Sequence, residues 1–221
     1  MDEKPRPTGR PENSPAEPGV GALARLAGAP AEGFVSPFPP ARLFCGCISR
    51  FPELLTGLAP RLEALWGPVL RRSPLLEFPD TRLYAPAMGR GLRRIFYVFG
   101  GLFPQDCLPA AKRAAGLIEE EIAREASWPV ARPINLDPGL LSEGRLVLAS
   151  TKDRGHRLPR GGGIFEEITL LFFEGAFQPL LWTYPDFRAP ETRAFFEQVR
   201  GEFLAESRAV RKRYGPPPSR F

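Results

Sequence analysis

The residue types that could do chemistry are concentrated between positions 135 and 186 of this 221-residue chain. Short stretches there mix charged, aromatic and glycine residues at the predicted ends of strands. They hold ten candidate site residues: Asn135, Asp137, Lys152, His156, Arg157, Glu167, Thr169, Trp182, Tyr184 and Asp186. Polar side chains at strand ends and turns commonly build binding sites, so we expect these residues to line one cleft.

His156 is the only histidine of the chain and lies in a predicted loop among cationic residues. Neighbouring cations lower the pKa of an imidazole, and a neutral imidazole can act as a general base. The same ring could instead hydrogen-bond a backbone carbonyl and shape a hairpin. His156 is therefore a candidate catalytic residue with a structural role as the alternative.

Lys152 and Arg157 flank His156 and could hold a phosphate or a carboxylate, although both could also be ordinary surface cations. Lys152 is one of only four lysines among 30 basic residues, and its compact charge differs from the planar fork of arginine. Glycines 161–163 could supply backbone N–H groups to an anion or form a flexible hairpin tip. No glycine-rich motif of the nucleotide-binding loops occurs.

Acidic residues in the same span allow two interpretations. Glu167 and Thr169 are two residues apart in a predicted strand and therefore share a face. Asp137 and Asp186 stand beside prolines at predicted turns, where carboxylates commonly accept backbone hydrogen bonds. The alternative is that Asp137, Glu167 and Asp186 converge on Mg²⁺, although no metal ligand is assigned.

Two aromatic residues close this span. Trp182 and Tyr184 could stack on a base or a sugar, or could serve as core aromatics with a polar end. Asn135 is a polar residue at a predicted strand end. The sequence contains no H-E-x-x-H, G-x-S-x-G or RNA-recognition motif.

Composition excludes several classes of protein. The net charge is only +5, spread along the chain, which indicates a mild preference for anions and gives weak support for nucleic-acid binding. Cys45 and Cys47 form a C-x-C pair and Cys107 stands alone, so zinc binding is disfavoured and buried free thiols are expected. With no apolar run long enough for a membrane span, we expect a cytoplasmic protein without membrane contact.

The elements that must position the candidate residues follow from hydrophobic periodicity. The pattern predicts strands at 43–48, at 69–78 with a break at Ser73 and Pro74, and at 92–99. It predicts helices at 52–66, after the first strand, and at 106–125, after the third, followed by a further strand that ends near 136. This order predicts an α+β fold with a ferredoxin-like βαββαβ half. Strands at 145–151, 164–173 and 177–181 extend it as an antiparallel meander, and a long C-terminal helix covers 190–213.

The ends of the chain are rich in proline, of which there are 27 in all. Residues 1–40 are also rich in alanine and glycine and offer little to bury, so they predict a disordered tail. Residues 41–214 are predicted to form a single α+β domain. Residues 215–221 are expected to be a disordered C-terminus.

Several long motifs resemble one bacterial family. They are Asn-Leu-Asp-Pro-Gly at 135–139, Leu-Val-Leu-Ala-Ser-Thr-Lys at 146–152, His156-Arg157, Gly-Ile-Phe at 163–165, Glu-Ile-Thr-Leu at 167–170, and Trp-Thr-Tyr-Pro-Asp at 182–186. In this order they resemble the domain of unknown function 4416, over residues 42–207. The resemblance implies a compact bacterial cytoplasmic domain and brings no assigned activity.

The sequence leaves three hypotheses for function. The first is a binding module for an anionic ligand, nucleotide-like or RNA-like, held by Lys152, His156 and Arg157. The second is a hydrolase or phosphotransferase that uses Mg²⁺ as cofactor and His156 as general base. The third is a structural or adaptor protein, whose protein partner the sequence does not identify.

Overall fold

The structure is a computed structural model that describes residues 39–78, 84–125 and 128–214. Within these ranges the strands are β1 (Arg42–Ser49), β2 (Val69–Arg72), β3 (Leu76–Glu77), β4 (Arg93–Phe99), β5 (Asn135–Leu141), β6 (Arg145–Ser150), β7 (Leu158–Pro159), β8 (Phe165–Phe173) and β9 (Ala176–Pro179). The helices are α1 (Pro52–Thr56), α2 (Ala59–Trp66), α3 (Ala85–Met88), α4 (Leu108–Glu125), α5 (Pro185–Arg188) and α6 (Pro190–Tyr214).

All the described strands belong to one sheet. Its order is β2-β4-β1-β5-β6-β8-β7, with β3 also beside β4 and β9 also beside β8. Every pairing in it is antiparallel. The predicted α+β class, the antiparallel extension and the long C-terminal helix are therefore confirmed. The predicted tail, except Pro39 and Pro40, and the predicted C-terminus at 215–221 lie outside the described residues.

Two apolar layers cover the two faces of the sheet. Because side chains alternate along a strand, Leu43 and Cys45 of β1 point to the face covered by α1, α2 and α4, whereas Phe44 points to the other face. There Phe44 packs edge-on against Phe196 of α6, with 4.7 Å between ring centroids. Phe195, Val199 and Phe203 lie four residues apart along α6, share one face of this helix and are buried in the second layer.

The helix predicted over 52–66 is two helices. α1 ends at Thr56 and α2 begins at Ala59, with Gly57 and Leu58 between them. Pro60 lies in the first turn of α2, where its missing N–H costs no helical hydrogen bond. In a continuous helix the same proline would clash with the preceding turn, so the chain restarts before it.

β5 also differs from its prediction. The sequence indicated a strand that ends near residue 136 and a turn at Asp137, but Asn135–Leu141 is a continuous strand between β1 and β6. β6 pairs only with Gly139–Leu141 of β5, so the strand can contain Pro138, whose nitrogen cannot donate to a ladder. Asp137 therefore lies within a strand, not at a turn.

None of the described helices has the length and apolar character needed to cross a membrane.

Candidate functional site

A pocket opens where β5 and β6 separate. The two strands pair from Gly139 to Leu141 and then diverge toward Asn135 and Ser150. The gap between them holds a cavity of about 120 Å³. Its walls are Phe78, Tyr84, Arg94, Lys112, Arg132, Asn135, Asp137, Leu148, Ala149, Ser150, Thr151, Lys152, Arg157, Glu167, Tyr184, Pro185, Asp186 and Phe187. We call this cavity the strand-gap pocket.

Asp137 forms the β5 wall of the strand-gap pocket. Lys112 of α4 donates from Nζ to Asp137 Oδ1 at 2.8 Å and to the carbonyl of Leu136 at 2.7 Å, and Asn135 donates from Nδ2 to Asp137 Oδ2 at 2.6 Å. Burial alone would raise the pKa of this carboxyl, but Lys112 and Arg94 hold it below its ordinary value. Burial likewise opposes the charge on Lys112, yet the facing Asp137 and Glu119 raise the pKa of that ammonium.

Arg94 and Asp186 form a second buried ion pair. Arg94 Nη1 donates to Asp186 Oδ2, and Arg94 Nη2 lies 3.7 Å from Asp137 Oδ2. The guanidinium also lies over the rings of three aromatic residues, at 5.1 to 5.3 Å from their centroids: Phe78, Phe96 and Phe187. Burial raises the pKa of Asp186 in spite of Arg94.

Arg157 and Glu167 form the third buried pair. Arg157 donates from Nε to Glu167 Oε2 at 2.7 Å and from Nη2 to the Tyr184 hydroxyl at 2.5 Å. Its Nη1 donates to the Ser150 hydroxyl at 2.8 Å and to the carbonyl of Lys152 at 2.7 Å. A single guanidinium thus joins β8, the end of β6 and the residue before α5.

His156 lies on the far side of Glu167. His156 Nε2 is 2.9 Å from Glu167 Oε2, and because a carboxylate oxygen accepts, Nε2 is the nitrogen that carries the proton. The imidazole stacks on Trp182, with ring centroids 5.2 Å apart and planes 10° apart. Both rings line a separate groove together with Leu158 and Ile168.

Lys152 stands at the mouth of the strand-gap pocket. Its Nζ lies 5.7 Å from the centroid of the Tyr84 ring. Among the described residues it forms no ion pair with a carboxylate, unlike Lys112, Arg94 and Arg157. Partial burial lowers the pKa of this ammonium, and Arg132, Arg157 and Arg154 lower it further, although Asp137 opposes them.

The structure brings together most of the candidate residues, but not all. Seven of them line the strand-gap pocket: Asn135, Asp137, Lys152, Arg157, Glu167, Tyr184 and Asp186. The expectation that His156 and Trp182 share that cleft is not met, because Glu167 separates them from it. Thr169 is fully buried, and its carbonyl accepts a hydrogen bond from the Thr183 hydroxyl at 2.5 Å.

The proposed convergence on Mg²⁺ finds no cluster to support it in the described ranges. No three His, Cys, Asp or Glu side chains there are placed to hold a metal ion. Asp137, Glu167 and Asp186 each face a cationic side chain instead.

Sequence reasoning missed Arg94, Lys112, Arg132 and Tyr84 as pocket residues. Two of them carried a usable signal. Arg94 alternates with Phe96 and Val98 along β4, so a charge on that apolar face required a buried partner. Lys112 interrupts an alanine-rich part of the helix predicted over 106–125, after Ala111 and before Ala114, and is one of four lysines in the chain.

Comparison of the sequence with known protein families assigns the chain to one of them. The chain matches the family described as Domain of unknown function (DUF4416) over residues 39–203. It belongs to that family, as its motifs indicated. No curated protein and no solved structure shows significant similarity to it.

Proposed function

We propose that this domain binds a small anionic ligand in the strand-gap pocket. The proposal rests on one observation: the Lys152 ammonium lies at the mouth of the pocket and has no carboxylate partner among the described residues. The three carboxylates in the pocket wall are each engaged by a different cation: Lys112 with Asp137, Arg94 with Asp186, and Arg157 with Glu167.

The electrostatics of the pocket support an anion. Partial burial lowers the pKa of Lys152, and repulsion from Arg132, Arg157 and Arg154 lowers it further, although Asp137 raises it. An anion bound there would relieve this repulsion and form a charge-assisted hydrogen bond with the ammonium. Arg132 is already engaged, since its Nη2 donates to Glu119 and Asn135.

The size of the pocket limits what can enter it. A volume of about 120 Å³ is close to that of a cavity that holds one benzene ring, roughly 150 Å³. A nucleotide-like or RNA-like ligand would therefore insert one ring or one phosphate and leave the rest outside. Trp182, considered above as a stacking residue, already stacks on His156.

The test is calorimetric titration of the full chain with a panel of anions: orthophosphate, acetate, benzoate and adenosine monophosphate. We expect at least one to bind, and Lys152→Gln to weaken it about tenfold, equivalent to about 1.4 kcal/mol. Arg154→Gln is the matched control, because Arg154 is a nearby exposed cation outside the pocket wall. Binding that Lys152→Gln leaves intact would contradict the proposal.

The enzyme alternative has less support. It requires His156 near a bound substrate, whereas its Nε2 is directed at the buried carboxylate of Glu167. It also requires carboxylates free to hold Mg²⁺, and those of the pocket wall are paired with cations.

One observation favours a second candidate function, contact with another protein. Leu171 and Phe173 of β8 alternate with Leu170 and Phe172, which pack toward α6, so they point away from that helix and are exposed. The exposed apolar side chains at this end of the sheet are Leu158, Ile168, Leu171, Phe173, Leu181 and Trp182. Such patches commonly mark interfaces.

A second copy of the chain is the occupant we test first for this face. Arg145 lies beside Leu171 in the sheet, and Glu174 follows Phe173, so an inverted copy could pair opposite charges around the apolar centre. Light scattering after size exclusion should then report a dimer, and Phe173→Arg should yield a monomer. A monomeric wild-type chain would exclude this occupant.

We also infer that β1, α1–α2, β2, β4, α4 and β5 form a ferredoxin-like unit. The strand order β2-β4-β1-β5 with antiparallel neighbours supports it. So does the presence of Leu62 of α2 and Ala115 of α4 in the same apolar layer, on one face of the sheet. An experimental structure with these helices on opposite faces would contradict the assignment.

A cytoplasmic location remains part of the proposal. The support is that Cys45, Cys47 and Cys107 are all free and buried, as expected for a chain kept in a reducing compartment. Cell fractionation of the full-length chain tests it.

A further inference from the structure

We infer that the ligand of the strand-gap pocket is a small aromatic carboxylate, one flat ring bearing a single negative charge. The inference rests on the proposed anion-binding function and specifies the chemistry of the ligand. Three features of the pocket carry it: its balance of charge, its aromatic wall and its volume.

The balance of charge favours one negative charge. Four cations of the pocket wall already have carboxylate partners, since Arg132 is paired with Glu119 outside the pocket. Lys152 is the remaining cation among the described wall residues. A dianion such as a phosphate monoester would bring a second charge close to Asp137 and Glu167, which no further cation of the described wall offsets. A carboxylate matches the single ammonium.

The aromatic wall favours a flat ring next to that charge. Tyr84 and Tyr184 are half-buried and line the pocket with Phe78 and Phe187. The Tyr84 ring packs edge-on against Phe78, with centroids 5.7 Å apart, and Lys152 Nζ lies 5.7 Å from the centroid of Tyr84. A carboxylate bound to Lys152 therefore has its own substituent beside aromatic carbon, where edge-to-face contacts are favourable.

The remaining wall is also suited to a ring. Leu148 and Ala149 of β6 contribute apolar surface, and both are buried. The cavity of about 120 Å³ is of the order that encloses one six-membered ring. An acid without a ring, such as acetate, would leave most of this apolar wall uncovered and forgo its burial.

The experiment compares benzoate, acetate and orthophosphate by calorimetric titration of the full chain near neutral pH. We expect benzoate to bind about tenfold more tightly than either of the others. Tyr84→Leu should remove most of this preference and leave acetate unchanged, whereas Tyr84→Phe, which keeps the ring, should retain it. Melting temperatures of both variants verify that they fold.

The outcomes separate this inference from the function on which it rests. If orthophosphate or adenosine monophosphate binds through Lys152 and benzoate does not, the aromatic carboxylate is excluded and anion binding stands. If acetate and benzoate bind equally, the role of the ring is excluded. If no anion binds, both the inference and the proposed function fail.

Discussion

Arg157 Nε and Glu167 Oε2 lie 2.7 Å apart, and both side chains are almost fully withdrawn from solvent. The pair stands between two recesses of the sheet, because Glu167 lines both the strand-gap pocket and the groove of His156 and Trp182. Glu167 Oε2 accepts from His156 on one side and from Arg157 on the other. The Glu167 carboxylate therefore separates the strand-gap pocket from the groove of His156 and Trp182.

Removing the Glu167 carboxylate should destabilise the fold strongly. Glu167→Ala leaves the buried Arg157 guanidinium without its counter-charge, and breaking such a pair costs about 3–5 kcal/mol. Chemical denaturation measures the change in the free energy of unfolding. The control is Glu120→Ala, which removes an exposed pair with Arg124 and should cost less than about 0.5 kcal/mol. Equal losses in the two variants would contradict the assignment.

A side chain at position 139 should be poorly tolerated. A Cβ added to Gly139 would lie 2.3 Å from Phe44 Cζ and 2.7 Å from the carbonyl oxygen of Val147, and both neighbours are held within the sheet. We expect Gly139→Ala to lower the free energy of unfolding by at least about 2 kcal/mol, as overpacked cores do.

The matched control for position 139 is Gly116→Ala in α4. A Cβ at Gly116 meets nothing within 4 Å. Alanine is preferred over glycine inside helices by about 0.5–1 kcal/mol, so this variant should be more stable than the wild type. A Gly139→Ala protein as stable as the wild type would show that the contact of Phe44 with β5 is looser than described.

The sheet strands and the long helices were predictable because each has a strong local signal. β1 contains an apolar stretch at 43–48, interrupted by Gly46, β4 contains one at 95–99, and α6 repeats Phe195, Val199 and Phe203 four residues apart. β5 was misjudged because Pro138 and Gly139 are turn residues by local preference. Tertiary packing overrides that preference: Gly139 is needed to let Phe44 approach, and the opening beside β6 makes room for Pro138.

The pocket residues that sequence could single out lie in the polar segment from 135 to 186. Lys152, Arg157 and Glu167 were grouped correctly because one hairpin connection carries them. Arg94 and Lys112 come from β4 and α4, and only the pairing of β1 with both β4 and β5 brings them to Asp137. Such a long-range arrangement leaves no local spacing in the sequence.

The two buried aspartates should give opposite pH dependence of stability. The pKa of Asp137 is lowered in the fold, so its contribution is present above the ordinary value of 3.8 and is lost as the pH falls through the lower folded value. The pKa of Asp186 is raised, so its ionisation costs stability, and that cost disappears as the pH falls through the raised value.

Variants separate these two contributions. The wild type should lose stability as the pH falls below the ordinary aspartate pKa of 3.8, and Asp137→Asn should reduce this loss. The wild type should gain stability as the pH falls from the raised pKa of Asp186 toward 3.8, and Asp186→Asn should remove this gain. Urea denaturation at a series of acidic pH values measures both slopes. If both variants changed the slope in the same pH window and direction, the assigned pKa shifts would be wrong.

Anion binding itself should weaken as the pH rises, at a pH below that expected for an ordinary lysine. Binding needs a charged Lys152, and partial burial together with neighbouring arginines lowers the pKa of this ammonium from 10.5. Burial raises the pKa of the Tyr84 and Tyr184 phenols, and the pKa of Lys112 is raised by its neighbouring carboxylates. These three groups should therefore titrate at a higher pH than Lys152.

Benzoate affinity should therefore fall as the pH rises through the Lys152 pKa and level off about tenfold lower, the loss expected for Lys152→Gln, because the neutral amine no longer pairs with the carboxylate. Lys152→Arg keeps its charge throughout this range, so its affinity should stay level. A decline of the same size in Lys152→Arg would assign the titration to a different group and remove Lys152 from the binding site.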